Sequence, residues 1–332
     1  MTTPTVTAQD ADAAVAVDDL HVSFASHGRT VEVISGVSFQ LRKNRITGLV
    51  GESGSGKSVT ALALMDLLPR EASVSVAALS IGDETFDQIN AKTVGRRRGN
   101  ELAMIFQEPI RSLNPAFRAG TQIAAVVREH LGLGRKATRQ RVLELLGLVG
   151  IPDPKRTAHA FPHQLSGGMS QRVMIAIALA GGPSVLFADE PTTALDATTQ
   201  AQVLALIKDL GERLGMTTLI ATHDLGVVAE LCDDVIVMYA GEIVEQASVD
   251  ELFRAPRHPY TRALLACSRL DESASHGIPG SVPAPGSWPT GCRFAARCEF
   301  VVAEQCEKSP IELRPVGKST VRCARAKELS HV

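Results

Sequence analysis

The sequence predicts an α/β fold built on a parallel sheet, and three observations carry that prediction. From Ile46 onward, short apolar strands alternate with amphipathic helices, the pattern of strands joined by helical crossovers. The first of these strands runs directly into a glycine-rich loop ending in Lys57-Ser58. A later strand, Val185 to Ala188, runs into two adjacent carboxylates, Asp189 and Glu190. Ligands of open α/β sheets bind beyond the carboxyl ends of the strands, so function is expected at these polar strand ends.

Size and composition bound the rest. The chain has 332 residues, enough for one large core and an appendage, because single cores stop growing near ~250–300 residues. Its 45% hydrophobic and 21% charged residues are those of a globular protein. The formal charge of −2, from 34 basic and 36 acidic residues, supplies no global attraction to nucleic acid or an anionic membrane. The apolar run Val173 to Ala180 falls far short of the ~18 residues that cross a bilayer. If the protein serves a membrane, another chain must span it. No N-terminal segment combines a basic start with an apolar core, and residues 1–15 are expected to form a flexible tail.

Along the chain, residues 16–48 alternate short β-type runs with Gly and Asn turns, which reads as an antiparallel sheet. The parallel strands are expected at Ile46 to Val50, Val185 to Ala188, Thr217 to Ala221 and Val235 to Met238, with a helix from Val59 to Leu68 after the first. Between about 109 and 165 no such strand occurs, and helix-period stretches at Gln122 to Leu131 and Thr138 to Leu148 predict an inserted helical subdomain. After about residue 271, Ile278-Pro279-Gly280 and Pro283-Ala284-Pro285-Gly286 mark a linker or irregular lobe. The domain expectation is therefore a nucleotide-binding unit over 16–255 and an extension over 256–332.

The loop Gly51-Glu52-Ser53-Gly54-Ser55-Gly56-Lys57-Ser58 is a complete phosphate-binding loop. Its glycines let backbone N–H groups curl around phosphates, Lys57 brings a charge to the β and γ groups, and Ser58 offers an oxygen to Mg²⁺. The helix that follows, starting near Ser58 and Val59, adds its positive end. At the other strand end, Asp189 suits the Mg²⁺ shell and Glu190 suits polarisation of an attacking water. Alone, two acids after a strand would be a solvated turn; next to a phosphate loop they are catalytic candidates.

Between these motifs, Leu165-Ser166-Gly167-Gly168-Met169-Ser170-Gln171 resembles the signature of the ATP-binding-cassette (ABC) family. Ser166 is also a plain N-cap candidate for the helix running to Leu179. The resemblance implies an ABC-type P-loop domain with a RecA-like core, an antiparallel β subdomain and a helical subdomain. It further implies that Ser166, Gly167, Gly168 and Gln171 face the ATP of a partner subunit. Gln107, after Met104-Ile105-Phe106, resembles the family's glutamine loop at Mg²⁺ or water. Ala194-Leu195-Asp196 resembles the loop that crosses to the partner, and His223 resembles the switch histidine that reaches the γ-phosphate. Phe24 is the expected adenine-stacking aromatic, with Phe39 the alternative by spacing.

Longer stretches narrow the likeness. Gly51 to Val59, Ser112-Leu113-Asn114-Pro115, Phe161 to Ala176, Asp189 to Asp196 and His258-Pro259-Tyr260-Thr261 resemble the dipeptide/oligopeptide/nickel importer ATPases, with Val59 and Met169-Ser170 closest to the D type of their two ATPase subunits. Phe161 stands where that subfamily is expected to have tyrosine. The resemblance implies ATP and Mg²⁺ as ligands and a second ATPase subunit, of the F type, as partner. It also implies two membrane-spanning permease subunits, an extracytoplasmic solute-binding protein as indirect partner, no nucleic acid, and a peripheral place on the cytoplasmic face of a bacterial membrane.

Four of six cysteines, Cys292, Cys298, Cys306 and Cys323, lie near the C-terminus, separated by five, seven and sixteen residues. These spacings lack Cys-x-x-Cys knuckles, and on the residues alone zinc and an iron–sulfur cluster both stay open. The resemblance implies a [4Fe–4S] cluster. Two other readings compete. A soluble cassette ATPase acting on nucleic acid or ribosomes would usually carry paired cassettes, a long coiled-coil insertion or a basic surface, and none is present. An iron–sulfur regulator with a vestigial cassette is opposed by the presence of Glu190 and His223.

Overall fold

The computed structural model describes residues 12–26, 28–193, 195–269 and 277–331. The chain begins with two long strands, β1 (Ala13–Ser26) and β2 (Arg29–Arg42), paired antiparallel with several register shifts. The sheet they start is completed by β4 (Ala72–Ser75), β5 (Ala78–Ile81) and β6 (Glu84–Phe86), with β4 and β5 both on β1. Because β1 starts at Ala13, it takes in three residues expected in the tail, of which residues 1–11 lie outside the described residues.

The second sheet holds β3 (Ile46–Val50), β7 (Leu102–Ile105), β8 (Val185–Asp189), β9 (Thr217–Thr222), β10 (Asp234–Tyr239), β11 (Glu242–Ser248), β12 (Arg314–Val316) and β13 (Ser319–Val321). Its spatial order is β12-β13-β11-β10-β3-β9-β8-β7. The run from β10 to β7 is parallel. Every residue of β3, β7, β8 and β9 is buried, as expected of parallel strands covered on both faces.

The helices that frame the site and its extension are α1 (Lys57–Leu64), α2 (Ala119–Leu131), α3 (Arg135–Leu148), α4 (Pro154–His159), α5 (Gly167–Ala178), α6 (Ala197–Leu214), α7 (Leu225–Leu231) and α8 (Pro259–Arg269). Helix α1 ends four residues before the expected Leu68, where Asp66 turns left-handed (φ 52°) ahead of Pro69. On one face of the parallel sheet, α2, α3, α5 and α6 enclose a core that includes Ile123, Leu145, Val173 and Ile207. On the other, α1 and the antiparallel sheet enclose Leu20, Leu41, Leu64 and Phe187. No helix among the described residues is long and apolar enough to cross a membrane.

The extension is more regular than its composition suggested. Strand β13 pairs with β11 (Glu245 opposite Val321) and so lengthens the parallel sheet at its edge. Tyr239 of β10, Tyr260 of α8 and Phe294 form a ring cluster with centroids 4.6–5.4 Å apart, within the range for favourable aromatic packing. The segment His258-Pro259-Tyr260-Thr261 is pinned at Glu245, which is fully buried and whose carboxylate accepts N–H bonds from Arg257 (2.8 Å) and His258 (2.9 Å). His258 Nδ1 in turn accepts the Tyr260 N–H at 3.0 Å, and burial drives the His258 pKa down to about 3, which keeps the ring neutral.

Replacing this carboxylate orphans two backbone donors. Glu245→Ala is expected to lower stability by roughly 2–4 kcal/mol, the scale of two unpaired buried N–H groups. A denaturant titration reads this, and an unchanged midpoint would mean that the two bonds to Glu245 do not hold the extension.

Candidate functional site

The phosphate loop leaves the carboxyl end of β3 under tight backbone constraints. A Cβ on Gly51 would lie 2.3 Å from the Met238 carbonyl oxygen, and one on Gly56 (φ 106°) would lie 2.4 Å from Ile34 Cδ1. Only glycine fits such a path. No side chain caps α1, and the buried Ser55 Oγ has no hydrogen-bond partner among the described residues. Donors are therefore left over at the loop, which is the cradle that a polyphosphate requires.

Lys57 is buried, and its ammonium donates to the carbonyls of Gly51 (2.8 Å) and Glu52 (3.2 Å). Burial pushes its pKa below the usual lysine value, against the pull of Glu190, Asp189 and Glu52. Ser58 Oγ donates to Asp189 Oδ1 at 2.8 Å. Burial raises the Asp189 pKa, with the Ser58 bond opposing. A hydroxyl and a carboxylate brought together beside the phosphate cradle form the oxygen donor set that suits Mg²⁺.

Three adjacent strands then converge on Glu190. Its backbone N–H donates to the Ala221 carbonyl at 2.9 Å, extending the β8–β9 ladder past the end of β8, and its φ of 43° turns it out of the strand. Glu190 Oε2 accepts from Gln107 Nε2 (2.9 Å), beyond β7, and from Thr193 Oγ1 (2.8 Å). Its Oε1 lies 3.2 Å from Nδ1 of His223, beyond β9. Burial works against the Glu190 carboxylate, but the Thr193 hydroxyl and the His223 ring hold its pKa below the usual value. It is thus ionised at neutral pH. Thr193 was quoted in the sequence only as part of a motif, and nothing in its type singled it out as a partner of Glu190.

Ser166 caps α5, accepting from the Met169 N–H at 3.3 Å, and is exposed with Gly167 behind it. A Cβ on Gly168 would meet Thr199 Cγ2 at 2.7 Å, so a larger residue there would have to displace the Thr199 side chain on α6. Gln171 is fully buried and donates to the Pro191 carbonyl at 2.5 Å. It braces the segment after Glu190 instead of facing outward. Asp196 caps α6, accepting from Thr199 N–H (3.0 Å) and Oγ1 (2.7 Å). Its neighbour Ala194 lies outside the described residues. Phe39 is a core residue, 4% exposed, whereas Phe24 is only partly buried. Val59 is partly buried in α1.

In the extension, Cys292, Cys298, Cys306 and Cys323 line one small apolar cavity together with His258 and Phe294. All four are free thiols. Burial pushes the thiols of Cys292 and Cys323 up to about 12 and about 11, and raises that of Cys298. Among the described residues no group of three or more His, Cys, Asp or Glu is close enough to hold a single metal ion.

Comparison with known proteins decides the family. Residues 34–193 match the model "ABC transporter", and residues 244–306 match "Oligopeptide/dipeptide transporter, C-terminal region". The chain is 43% identical over 310 residues to the dipeptide transport ATP-binding protein DppD of Haemophilus influenzae, covering 92% of this chain and 94% of that one. The chain belongs to the ATP-binding subunits of ABC transporters. It is also 46% identical over 303 residues to the oligopeptide transport ATP-binding protein OppD of Bacillus subtilis, covering 89% of this chain and 84% of that one. Among solved structures, a dimeric ATP-binding cassette in a post-hydrolysis state with ADP and phosphate is similar with a TM-score of 0.61 at 26% identity, covering 71% of this chain and 98% of that one. Membership in this ATPase family accounts for the joint presence of phosphate loop, signature and terminal acids. It also accounts for the antiparallel sheet and helical insertion around a parallel core.

Proposed function

We propose that this ABC subunit hydrolyses ATP to drive import of di- and oligopeptides through separate membrane-spanning subunits. The observation that carries the catalytic part is the convergence of Gln107, Thr193 and His223 on the Glu190 carboxylate beside the Ser58–Asp189 pair. The peptide part rests on the relatives named for dipeptide and oligopeptide transport and on the matching C-terminal region.

In this reading the loop from Gly51 to Ser58 cradles the phosphates, and Lys57 shifts its donors from the Gly51 and Glu52 carbonyls to the β and γ groups. Ser58 and Asp189, with Gln107 nearby, hold Mg²⁺. Glu190 polarises the attacking water, and His223, mostly exposed in the free subunit, turns to the γ-phosphate. Phosphoryl transfer needs preorganised charge and donors more than covalent help from the protein. Ser166, Gly167 and Gly168 supply donors to the site of a second ATPase subunit of the F type, with Asp196 in the loop that crosses to it. Gln171 serves this from behind, through Pro191. Motion passes to two permease subunits through the region from Gln107 to Asn114, where Phe106 and the nearby Phe117 are exposed large apolar residues. An extracytoplasmic solute-binding protein delivers the cargo, and the subunit sits peripherally on the cytoplasmic face of the membrane. Phe24 stacks on adenine.

The four extension cysteines are proposed to hold a [4Fe–4S] cluster. Four thiols around one apolar cavity match its ligand set, and a cluster spreads its ligands wider than a single ion, so the lack of a mononuclear site does not oppose it. When bound, the cluster serves as a structural crosslink, since nothing in ATP hydrolysis calls for an electron. The thiols would bind as thiolates, reversing the upward pKa shifts that burial imposes on Cys292, Cys298 and Cys323.

In the reconstituted transporter, Glu190→Gln should keep MgATP binding while losing roughly 10²–10⁴-fold in turnover, the scale of a positioned base, and peptide uptake should stop with it. Turnover near the wild-type rate would reject the role. Iron and acid-labile sulfide analysis of anaerobically purified protein should find both in cluster stoichiometry, lost on replacing Cys298 with Ser. Stoichiometric zinc without sulfide would replace the cluster by a zinc site.

A further inference from the structure

Glu52, the second residue of the phosphate loop, is held from the C-terminal extension. Its carboxylate receives two parallel bonds from Arg297, Nη1 to Oε2 at 2.7 Å and Nη2 to Oε1 at 3.0 Å. Its backbone N–H donates to the Tyr260 hydroxyl at 2.9 Å, and its carbonyl accepts from Lys57. Arg297 itself has a 4% exposed side chain and is built into the extension: its Nε donates to the Pro279 carbonyl (2.8 Å), Nη2 to the Ile278 carbonyl (2.9 Å) and Nη1 to the Tyr239 hydroxyl (3.3 Å). All five guanidinium donors are thereby used. Arg297 closes the short turn between Cys292 and Cys298, where the Ala295 N–H donates to the Cys292 carbonyl and the Cys298 N–H to the Ala295 carbonyl.

The electrostatics give this contact a direction. Glu52 puts a carboxylate on the loop that must wrap a polyanion, and an unpaired negative charge there opposes phosphate binding. A bidentate, buried arginine cancels that charge and fixes where the carboxylate points. We propose that Arg297 is a positioning residue of the ATP site, which neutralises Glu52 and, with Tyr260, sets the start of the phosphate loop, so that the extension governs nucleotide affinity.

The inference rests on the phosphate loop being the ATP site. Lys57→Ala reports on that premise separately, since wild-type MgATP affinity in this variant would overturn the premise itself. The test is calorimetric MgATP binding to the full chain, with a thermal melt recorded for each variant. Arg297→Met should weaken binding roughly five- to tenfold, within the range of coupled sites. Arg297→Lys should recover part of the loss. In the assembled transporter KM for ATP should rise while kcat holds. Adding Glu52→Gln to Arg297→Met should bring affinity back to within about twofold of wild type, because it removes the exposed charge without rebuilding the bond. Wild-type affinity in Arg297→Met overturns the proposal, and so does a double variant that binds no better than Arg297→Met, which would make the arginine a folding element only. If Arg297→Met does not fold, Tyr260→Phe carries the test from the other contact. A loss of roughly fivefold, the worth of one hydrogen bond, supports the proposal, and unchanged affinity overturns it.

Discussion

Glu190 sits where three neighbouring parallel strands end, and its carboxylate is held by groups from each of their ends. Gln107 follows β7, His223 follows β9, and the Glu190 N–H itself continues the ladder to Ala221. This placement depends on the register of the sheet: β7, β8 and β9 are fully buried and paired in parallel, so a one-residue slip of any of them would exchange the residues packed into the two cores. Next door, the loop after β3 brings Lys57 and Ser58 to the same edge. The result is a dense cluster of charge, with the buried Lys57 and Asp189 each shifted toward its neutral form and Glu190 kept ionised by its donors. A polyphosphate and a divalent cation suit such a site, because each supplies the charge that the other and the buried groups lack.

The extension is part of this architecture as well as an appendage to it. Strand β13 lengthens the sheet beyond β11, Glu245 pins the start of α8, and Tyr260 and Arg297 reach back to Glu52. The cavity lined by the cysteines lies beside the same ring cluster, sharing Phe294 and His258 with it. A covalent or metal-borne constraint among these thiols would therefore bear on a turn that touches the phosphate loop.

Much of the site was legible in the sequence because its residues follow directly on uninterrupted apolar strands. Ile46 to Val50 and Val185 to Ala188 read as apolar strands, and the glycines, Lys57, Ser58 and the acid pair come next. Strands β4 to β6 were not legible: they are three or four residues long and largely half-exposed, which leaves little apolar pattern to detect. Strands β12 and β13 are three residues each, one containing Pro315, and their composition reads as loop. Spacing left Phe24 and Phe39 as alternatives, and it does not encode their difference in burial: Phe39 is in the core and Phe24 is partly buried. Gln171 was read as facing a partner because a motif gives order along the chain and not direction, and the structure turns it inward to Pro191. The Glu52–Arg297 pair spans 245 residues, and no local pattern could join them.

The signature residues do not pack against this phosphate loop. Ser166 and Gly167 present the capped start of α5, and Leu195 and Thr199 are the neighbours of the two signature glycines, not the phosphate loop. We propose that a second subunit completes each ATP site. The direct test is steady-state ATP hydrolysis by the purified chain across a wide range of protein concentration, alone and with its partner ATPase and membrane subunits. Turnover should be slow at high dilution and rise as the assembly forms. A dilute, monomeric chain that hydrolysed ATP as fast as the full assembly, with no dependence on concentration, would contradict it.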